Sequence, residues 1–216
     1  LMPAFNEAEG LVRVLRSLSS VPKQHILVVD DGSQDGTSEA ARAEGVCVLR
    51  HKVNLGKGAA HRSGFAYFLE RDYDAIVTLD TDGQHDPLEI PLFLEKAERA
   101  RASIIIGTRR LSLCQMPLVR YLTNRITSLI VSLLAHTRIR DSQSGFRLIS
   151  AKVLRDIRLT TTKYDTESEI LIKASRRGHR IDSVPTKTIY RRETSYINPA
   201  VDTLRFLRLI LRSLWI

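Results

Sequence analysis

Apolar residues gather along the first half of this chain in short runs separated by polar, helix-period stretches. His25–Asp30, Val46–Leu49, Ala75–Leu79 and Ser103–Gly107 are rich in β-branched residues, and each opens into polar or glycine-containing sequence. That is the pattern of buried parallel strands, which are apolar on both faces. Between them the spacing predicts helices over Glu9–Ser20, Thr37–Glu44, Ala59–Glu70 and Pro87–Arg101. Strands alternating with helices predict a doubly wound α/β fold with a mostly parallel sheet, whose ligands sit at the carboxyl ends of the strands. Leu1–Ala4 reads as the end of a strand whose beginning is missing, and it has none of the features of a signal peptide.

The second half changes character. Helices are expected at about Leu118–Leu134 and Glu167–Arg177, strands at Arg180–Pro185 and near Lys187–Tyr190, and a terminal helix beyond. In that last segment Arg205, Arg208 and Arg212 recur at helical spacing among leucines and aromatics, which makes it amphipathic and cationic. The division expected is one α/β domain over residues 1–200 followed by this helix over 201–216. The longest apolar stretch, Ile126–Ala135, is interrupted by polar residues and falls short of the roughly 20 residues a membrane span requires.

Charge adds a preference for partners. With 33 basic against 24 acidic residues the net charge is +9, which favours phosphate groups or an acidic membrane face. Only 6% of residues are aromatic and no nucleic-acid-binding motif is present, so a nucleic-acid module is not expected. Cys47 and Cys114 imply no disulfide framework; they read as core filler in a chain made for a reducing, cytoplasmic compartment.

Candidate chemistry lies where the predicted strands end. Asp80 and Asp82 follow an apolar strand, and residues two apart in extended chain point to one side, so both carboxylates can meet one hard cation such as Mg²⁺ or Mn²⁺, with the Gln84 amide oxygen beside them. An isolated Asp-Xaa-Asp is equally well a turn. Asp86-Pro87-Leu88-Glu89 reads as a helix cap, with Asp86 at N-cap and Pro87 at N1. His85 is a weaker metal ligand than its neighbours. Asp30 and Asp31 end another strand, where a carboxylate can accept from the ring N–H of a uracil or guanine, and Asp35-Gly36-Thr37 is expected to turn and cap the next helix. Phe5 and Glu7 are placed to line the same nucleoside pocket. Gly56-Lys57-Gly58 opens a helix where backbone N–H groups and a cation can meet phosphate, without the Walker A spacing.

Pro3-Ala-Phe-Asn-Glu7, Val28-Val-Asp-Asp-Gly-Ser33, Asn54-Leu-Gly-Lys-Gly58, Leu79-Asp-Thr-Asp-Gly-Gln-His-Asp-Pro87, Gly107-Thr-Arg109 and Ser144-Gly-Phe-Arg147 occur in the order seen in family 2 glycosyltransferases. The chain resembles the branch that holds dolichol-phosphate mannosyltransferases and bacterial polyprenyl-phosphate glycosyltransferases. That resemblance implies a GT-A fold, a Rossmann-like central sheet flanked by helices, and inverting transfer from a donor such as GDP-mannose or a UDP-sugar. By motif position it implies that Pro3, Phe5, Glu7, Val29 and Asp31 hold the nucleoside with Asp30 adjacent. Asp80, Asp82 and Gln84 would bind metal and diphosphate together with Thr81 and Lys57, and Arg109 a donor or acceptor phosphate. Arg120 lies in a stretch resembling the one whose arginine meets the acceptor phosphate. Phe5 stands where the family usually has Tyr, Asn124 where it has Ser, and Tyr196 where a basic residue is common.

Two acceptors remain possible on the residues alone. A hydroxyl needs a general base, for which Asp141 and Asp165 are the candidates. A polyprenyl or dolichyl phosphate is already anionic, and it suits the arginines between Arg109 and Arg147, including Arg147 itself, which can equally lock its own loop. A lipid acceptor would require peripheral docking on the cytoplasmic face of a membrane, for which the terminal helix is the candidate. A sugar nucleotidyltransferase is the rival enzyme, but Asn6-Glu7-Ala8-Glu9 stands where its glycine-rich basic loop belongs.

Overall fold

A computed structural model describes residues 1–109, 118–187, 189, 206 and 208–211, with the backbone alone for 118–120. Seven strands lie among them: β1 (Met2–Ala4), β2 (Leu27–Asp30), β3 (Cys47–Arg50), β4 (Ala75–Thr78), β5 (Ile104–Arg109), β6 (Arg147–Ser150) and β7 (Ile181–Thr186). The helices are α1 (Ala8–Ser17), α2 (Thr37–Ala43), α3 (Lys57–Leu69), α4 (Ile90–Ala100), α5 (Leu118–Leu134), α6 (Ala151–Asp156) and α7 (Thr166–Arg176). The strand order is β3-β2-β1 and β4-β6-β5-β7. Leu79 N donates to Leu1 O at 3.0 Å, which sets the end of β4 beside β1.

All described pairings are parallel except those of β6, which runs antiparallel to both β4 and β5. The α/β architecture expected from the alternation is therefore present, with one reversed strand. β6 and α6 had no counterpart in the sequence reading, because the first residue of β6 is an arginine and the run that follows is short. The predicted helix over Pro87–Arg101 is a 3₁₀ turn, Pro87–Glu89, running into α4. The strand expected near Lys187–Tyr190 falls largely outside the described residues, as do Cys114, the Arg120 side chain, Tyr196, and Arg205 and Arg212 of the terminal helix.

Alternation along the strands divides the core between the two faces of the sheet, as a period of two requires. Leu27, Val29, Ile104 and Ile106 pack with Phe65, Phe68, Val131 and Ile170 on one face. Val28 and Ile105 pack with Leu11, Leu15, Phe93 and Phe146 on the other. Gly107 has to be glycine, since a Cβ there would stand 2.8 Å from the Phe93 ring, which itself stacks on Phe146 at 4.2 Å. Of the terminal segment, Phe206 and residues 208–211 are helical; Leu209 is buried in the core, with Phe206 and Ile210 packed against it. This part of the helix packs on the domain, and Leu211 points outward.

Candidate active site

The loops that leave β1 and β2 are laced together. Asn6 N donates to Ser33 Oγ (2.9 Å), Glu7 N to Thr37 Oγ1 (3.1 Å), and Gln34 N to the Asn6 side chain (2.8 Å). Asn6 sits at φ 52, in the left-handed region that Asn tolerates better than most residues. Asp35 accepts from Thr37 N and Gly36 sits at φ 82 before α2, the turn and cap expected there. Phe5 and Glu7 follow β1 half-buried, beside this crossing. Pro3 and Val29 face each other in the β1–β2 register, and both are buried, Val29 within the core.

The two adjacent aspartates are also anchors. Asp30, fully buried, accepts from Ser33 N (2.8 Å) and from the Ser38 hydroxyl. Asp31 accepts from Leu55 N (2.9 Å), Gly56 N (2.6 Å) and His51 Nδ1–H (2.7 Å). Both carboxylates were read as candidates for a nucleobase; here they hold the loops after β2 and before α3 in place. Side-chain oxygens that accept backbone N–H bonds from neighbouring loops fix the chain around them.

Beyond β4, Asp80 and Asp82 are half-buried and Thr81 is buried. Gly83 turns the chain at φ 68, and Gln84 N donates to Asp82 Oδ1 at 2.9 Å. Asp86 accepts from Leu88 N (3.0 Å) with Pro87 behind it, the structural cap read from sequence. The Asp80 carboxylate packs on Gly145, where a Cβ would lie 2.2 Å from Oδ2. Lys57, the first residue of α3, places Nζ 2.7 Å from Asp80 Oδ1 and 2.7 Å from Glu167 Oε1 in the first turn of α7. Burial alone would raise the Asp80 pKa, but the Lys57 ammonium overrides it and holds the group down to about 2. Lys57 itself is held above the ordinary lysine range by the two carboxylates, against its burial. Its cation was expected to face phosphate; it faces these two side chains.

His61, one helical turn after Lys57, is buried and stacks on Phe65 at 5.7 Å. Burial, reinforced by Lys57, lowers it to about 3, so it is a neutral imidazole at the floor of the site. His85, 5% exposed, rests against Phe146 at 5.4 Å and is likewise lowered by burial. From sequence His85 reads only as a weaker metal ligand, and His61 carries no role. The i, i+4 spacing of Lys57 and His61 was the available signal.

At the end of β5, Arg109 grips Asp141 with two hydrogen bonds, Nε to Oδ2 at 2.8 Å and Nη2 to Oδ1 at 3.0 Å. Both are nearly buried, and the guanidinium keeps the Asp141 carboxyl below its ordinary range despite burial. Two guanidinium hydrogen bonds occupy both oxygens of this carboxylate, which weighs against Asp141 as a general base. Arg147 is 1% exposed and donates to three carbonyls: Nε to Ser144 (2.7 Å), Nη1 to Glu167 (2.7 Å) and Nη2 to Ser142 (2.8 Å). It locks the 142–145 loop to α7 and is not placed to receive an acceptor phosphate. The lock works through backbone carbonyls. Asp165 stands half-buried at the N-cap of α7, and Glu169 accepts from Thr160 N and Thr161 N, anchoring the preceding loop.

Among the described residues no three His, Cys, Asp or Glu side chains form a ready-made metal cage. Mg²⁺ and Mn²⁺ do not need one: they retain waters and bind substrate phosphate through one or two carboxylates. Asp80 and Asp82, two half-buried carboxylates on one loop, fit a cation of that kind.

A mostly parallel α/β sheet with one reversed strand, with acidic loops gathered at its carboxyl ends, is the frame on which these residues are held. The family described as Glycosyl transferase family 2 matches residues 1–158, and the chain belongs to it. It is 33% identical over 203 residues to undecaprenyl-phosphate mannosyltransferase of Micrococcus luteus, covering 88% of this chain and 83% of that one. It is 31% identical over 212 residues to UDP-N-acetylglucosamine–dolichyl-phosphate N-acetylglucosaminyltransferase of Methanococcus voltae, covering 88% and 84%. Glucosyl-3-phosphoglycerate synthase of Mycobacterium tuberculosis shares the fold, with a TM-score of 0.74 over 98% of this chain and 78% of that one at 21% identity. The protein is a glycosyltransferase of the GT-A fold. No helix among its described residues is long and apolar enough to cross a membrane.

Proposed function

We propose that this enzyme transfers a sugar, with inversion, from a nucleoside-diphosphate donor to a polyprenyl phosphate. The observation that carries the acceptor is the Arg109–Asp141 clamp, which takes the carboxylate nearest the end of β5 out of service as a base. A hydroxyl acceptor would need a general base, for which Asp165 would be the remaining candidate, whereas a lipid phosphate oxygen is already anionic at neutral pH. The relatives support the same acceptor, since the two cited above are named for undecaprenyl and dolichyl phosphate.

In this reading the laced loops after β1 and β2 hold the nucleoside, with Phe5 and Glu7 at their edge. Asp80, Asp82 and Gln84 hold a divalent cation, Mg²⁺ or Mn²⁺, which when bound offsets charge developing on the leaving diphosphate. Arg109, held by Asp141 at the end of β5, belongs to the phosphate side on the resemblance alone. Arg120 belongs to the acceptor side on the resemblance alone. The deciding assay incubates the protein with labelled UDP- and GDP-sugars, Mn²⁺ and a polyprenyl phosphate. Label is expected in the chloroform phase, released by mild acid; label on glycan or protein hydroxyls instead would overturn the acceptor.

Docking on a membrane surface, at the cytoplasmic face, follows from a lipid acceptor, and α5 supports it. Leu122, Ile126, Leu129 and Leu133 are exposed along one side of this helix, between 47% and 67%. Arg125, Arg138 and Arg140 are exposed nearby, and no acidic residue occurs from 110 to 140. Exposed leucines flanked by arginines without acidic neighbours suit anionic lipid headgroups over an apolar interior. Ile126→Asp with Leu129→Asp is expected to reduce co-sedimentation with phosphatidylglycerol-containing vesicles by about tenfold or more. Because both positions are exposed, the thermal midpoint should barely move; unchanged sedimentation would count against this face.

A further inference from the structure

We infer that Lys57 and Glu167 set the affinity of the Asp80–Asp82 site for a divalent cation, and that they do so in opposite directions. The inference rests on the metal reading above.

Lys57 is not a loose surface cation. Its backbone is pinned on both sides: Gly56 N donates to Asp31 Oδ2 at 2.6 Å, and Ala59 N to Thr162 O at 3.1 Å. Gly58 lies so close to α7 that a Cβ would meet Thr166 Oγ1 at 1.9 Å. Gly56, at φ 104, is crowded by Thr162 and Lys163. The two glycines therefore let the start of α3 lie against the start of α7. That contact brings the Lys57 ammonium between one carboxylate from the loop after β4 and one from α7.

Glu167 is held as firmly. It is 5% exposed, and its carbonyl accepts from the buried Arg147. Its carboxylate is thus a fixed second partner for Lys57, outside the Asp80–Thr81–Asp82 segment.

A divalent cation at Asp80 has to share that carboxylate with the ammonium 2.7 Å away. Lys57 competes for the same oxygen and repels the cation, so it weakens binding. Glu167 offsets that charge and offers the ammonium an alternative partner, so it strengthens binding. Partly buried charges at such distances interact far more strongly than in bulk water. Glu167 is in this sense a positioning residue that acts on Asp80 through Lys57.

The test titrates Mn²⁺ into the full chain without donor and reads free Mn²⁺ by electron paramagnetic resonance. Lys57→Met is expected to tighten Mn²⁺ binding about tenfold and Glu167→Gln to weaken it about fivefold, on the scale of a single close charge. The Lys57→Met/Glu167→Gln double variant, which leaves only the half-buried Asp80 without its cation, should bind more tightly than Glu167→Gln and keeps the comparison possible if Lys57→Met does not fold. A purely structural role would weaken binding in both single variants or change neither, and either result overturns the inference. If the unaltered chain shows no Asp82-dependent Mn²⁺ binding, alone or with UDP or GDP, the metal site itself falls and the inference with it.

Discussion

Asp82→Asn is expected to lower kcat/KM for sugar transfer by about 10³-fold while leaving the fold intact. The effect comes from charge, not shape. The Asp82 side chain accepts from Gln84 N at 2.9 Å, and an Asn carbonyl oxygen can accept the same bond, so the turn around Gly83 survives. On the proposed metal reading, what is lost is one of the two carboxylates that would hold the cation that offsets charge on the leaving diphosphate. Removing a single group that stabilises developing charge typically lowers the rate by about 10²–10³-fold, and losing a metal ligand as well puts the loss at the upper end. Asp80→Asn should be at least as damaging, yet Lys57 would still have Glu167 as partner, so that variant should also remain folded. Rates measured across a Mn²⁺ series, beside circular dichroism melts, separate the two effects. Activity within tenfold of the unaltered enzyme at saturating Mn²⁺ would rule Asp82 out as a ligand.

Arg147→Met is the substitution with the largest expected effect on stability, a loss of about 3–5 kcal/mol. Three carbonyls, those of Ser142, Ser144 and Glu167, converge on one guanidinium that is 1% exposed. Methionine fills most of the volume but satisfies none of them, and each buried acceptor left without a donor costs about 1–3 kcal/mol before relaxation. That is a large share of the roughly 5–15 kcal/mol by which domains are stable. Arg147→Lys should not restore it, because one ammonium cannot reach three carbonyls set for a planar fork. Urea unfolding should show the midpoint falling with little change in slope. A loss below about 1 kcal/mol would mean that the carbonyls find other donors.

Much of the architecture could be read directly. Leu27–Asp30 and Ile104–Arg109 announce themselves because strands buried on both faces need unbroken apolar runs, and Ala75–Thr78, half-buried at alternate positions, is legible from its short apolar run. The start of the helical segment at Pro87 was legible because a cap is local chemistry: Asp86 needs only the backbone two residues on. β6 was hidden for the opposite reason. Its leading core position holds Arg147, and the carbonyls that make a buried arginine tolerable come partly from α7, far along the chain.

The same limit applies to the site. The motif order located Asp80 and Asp82 and placed Lys57 and Arg109 among the site residues. It did not reveal that Arg109 closes on Asp141, 32 residues away, or that Lys57 sits between Asp80 and Glu167. Residue types and strand ends indicate where chemistry gathers, but ion pairing depends on which loops the fold brings together.

The reversal of β6 has one more consequence. Because it runs against its neighbours, its beginning, not its end, lies beside the carboxyl ends of β4 and β5. The segment entering β6, from Asp141 to Phe146, therefore faces the chemistry, while the segment leaving it at Ser150 turns into α6 on the opposite rim. Variation in loop length would then act unequally on the two sides of one short strand. Insertions after Ser150 would leave the reaction centre untouched, whereas a single added residue before Arg147 would shift Gly145 off the Asp80 carboxylate and reshape the catalytic rim.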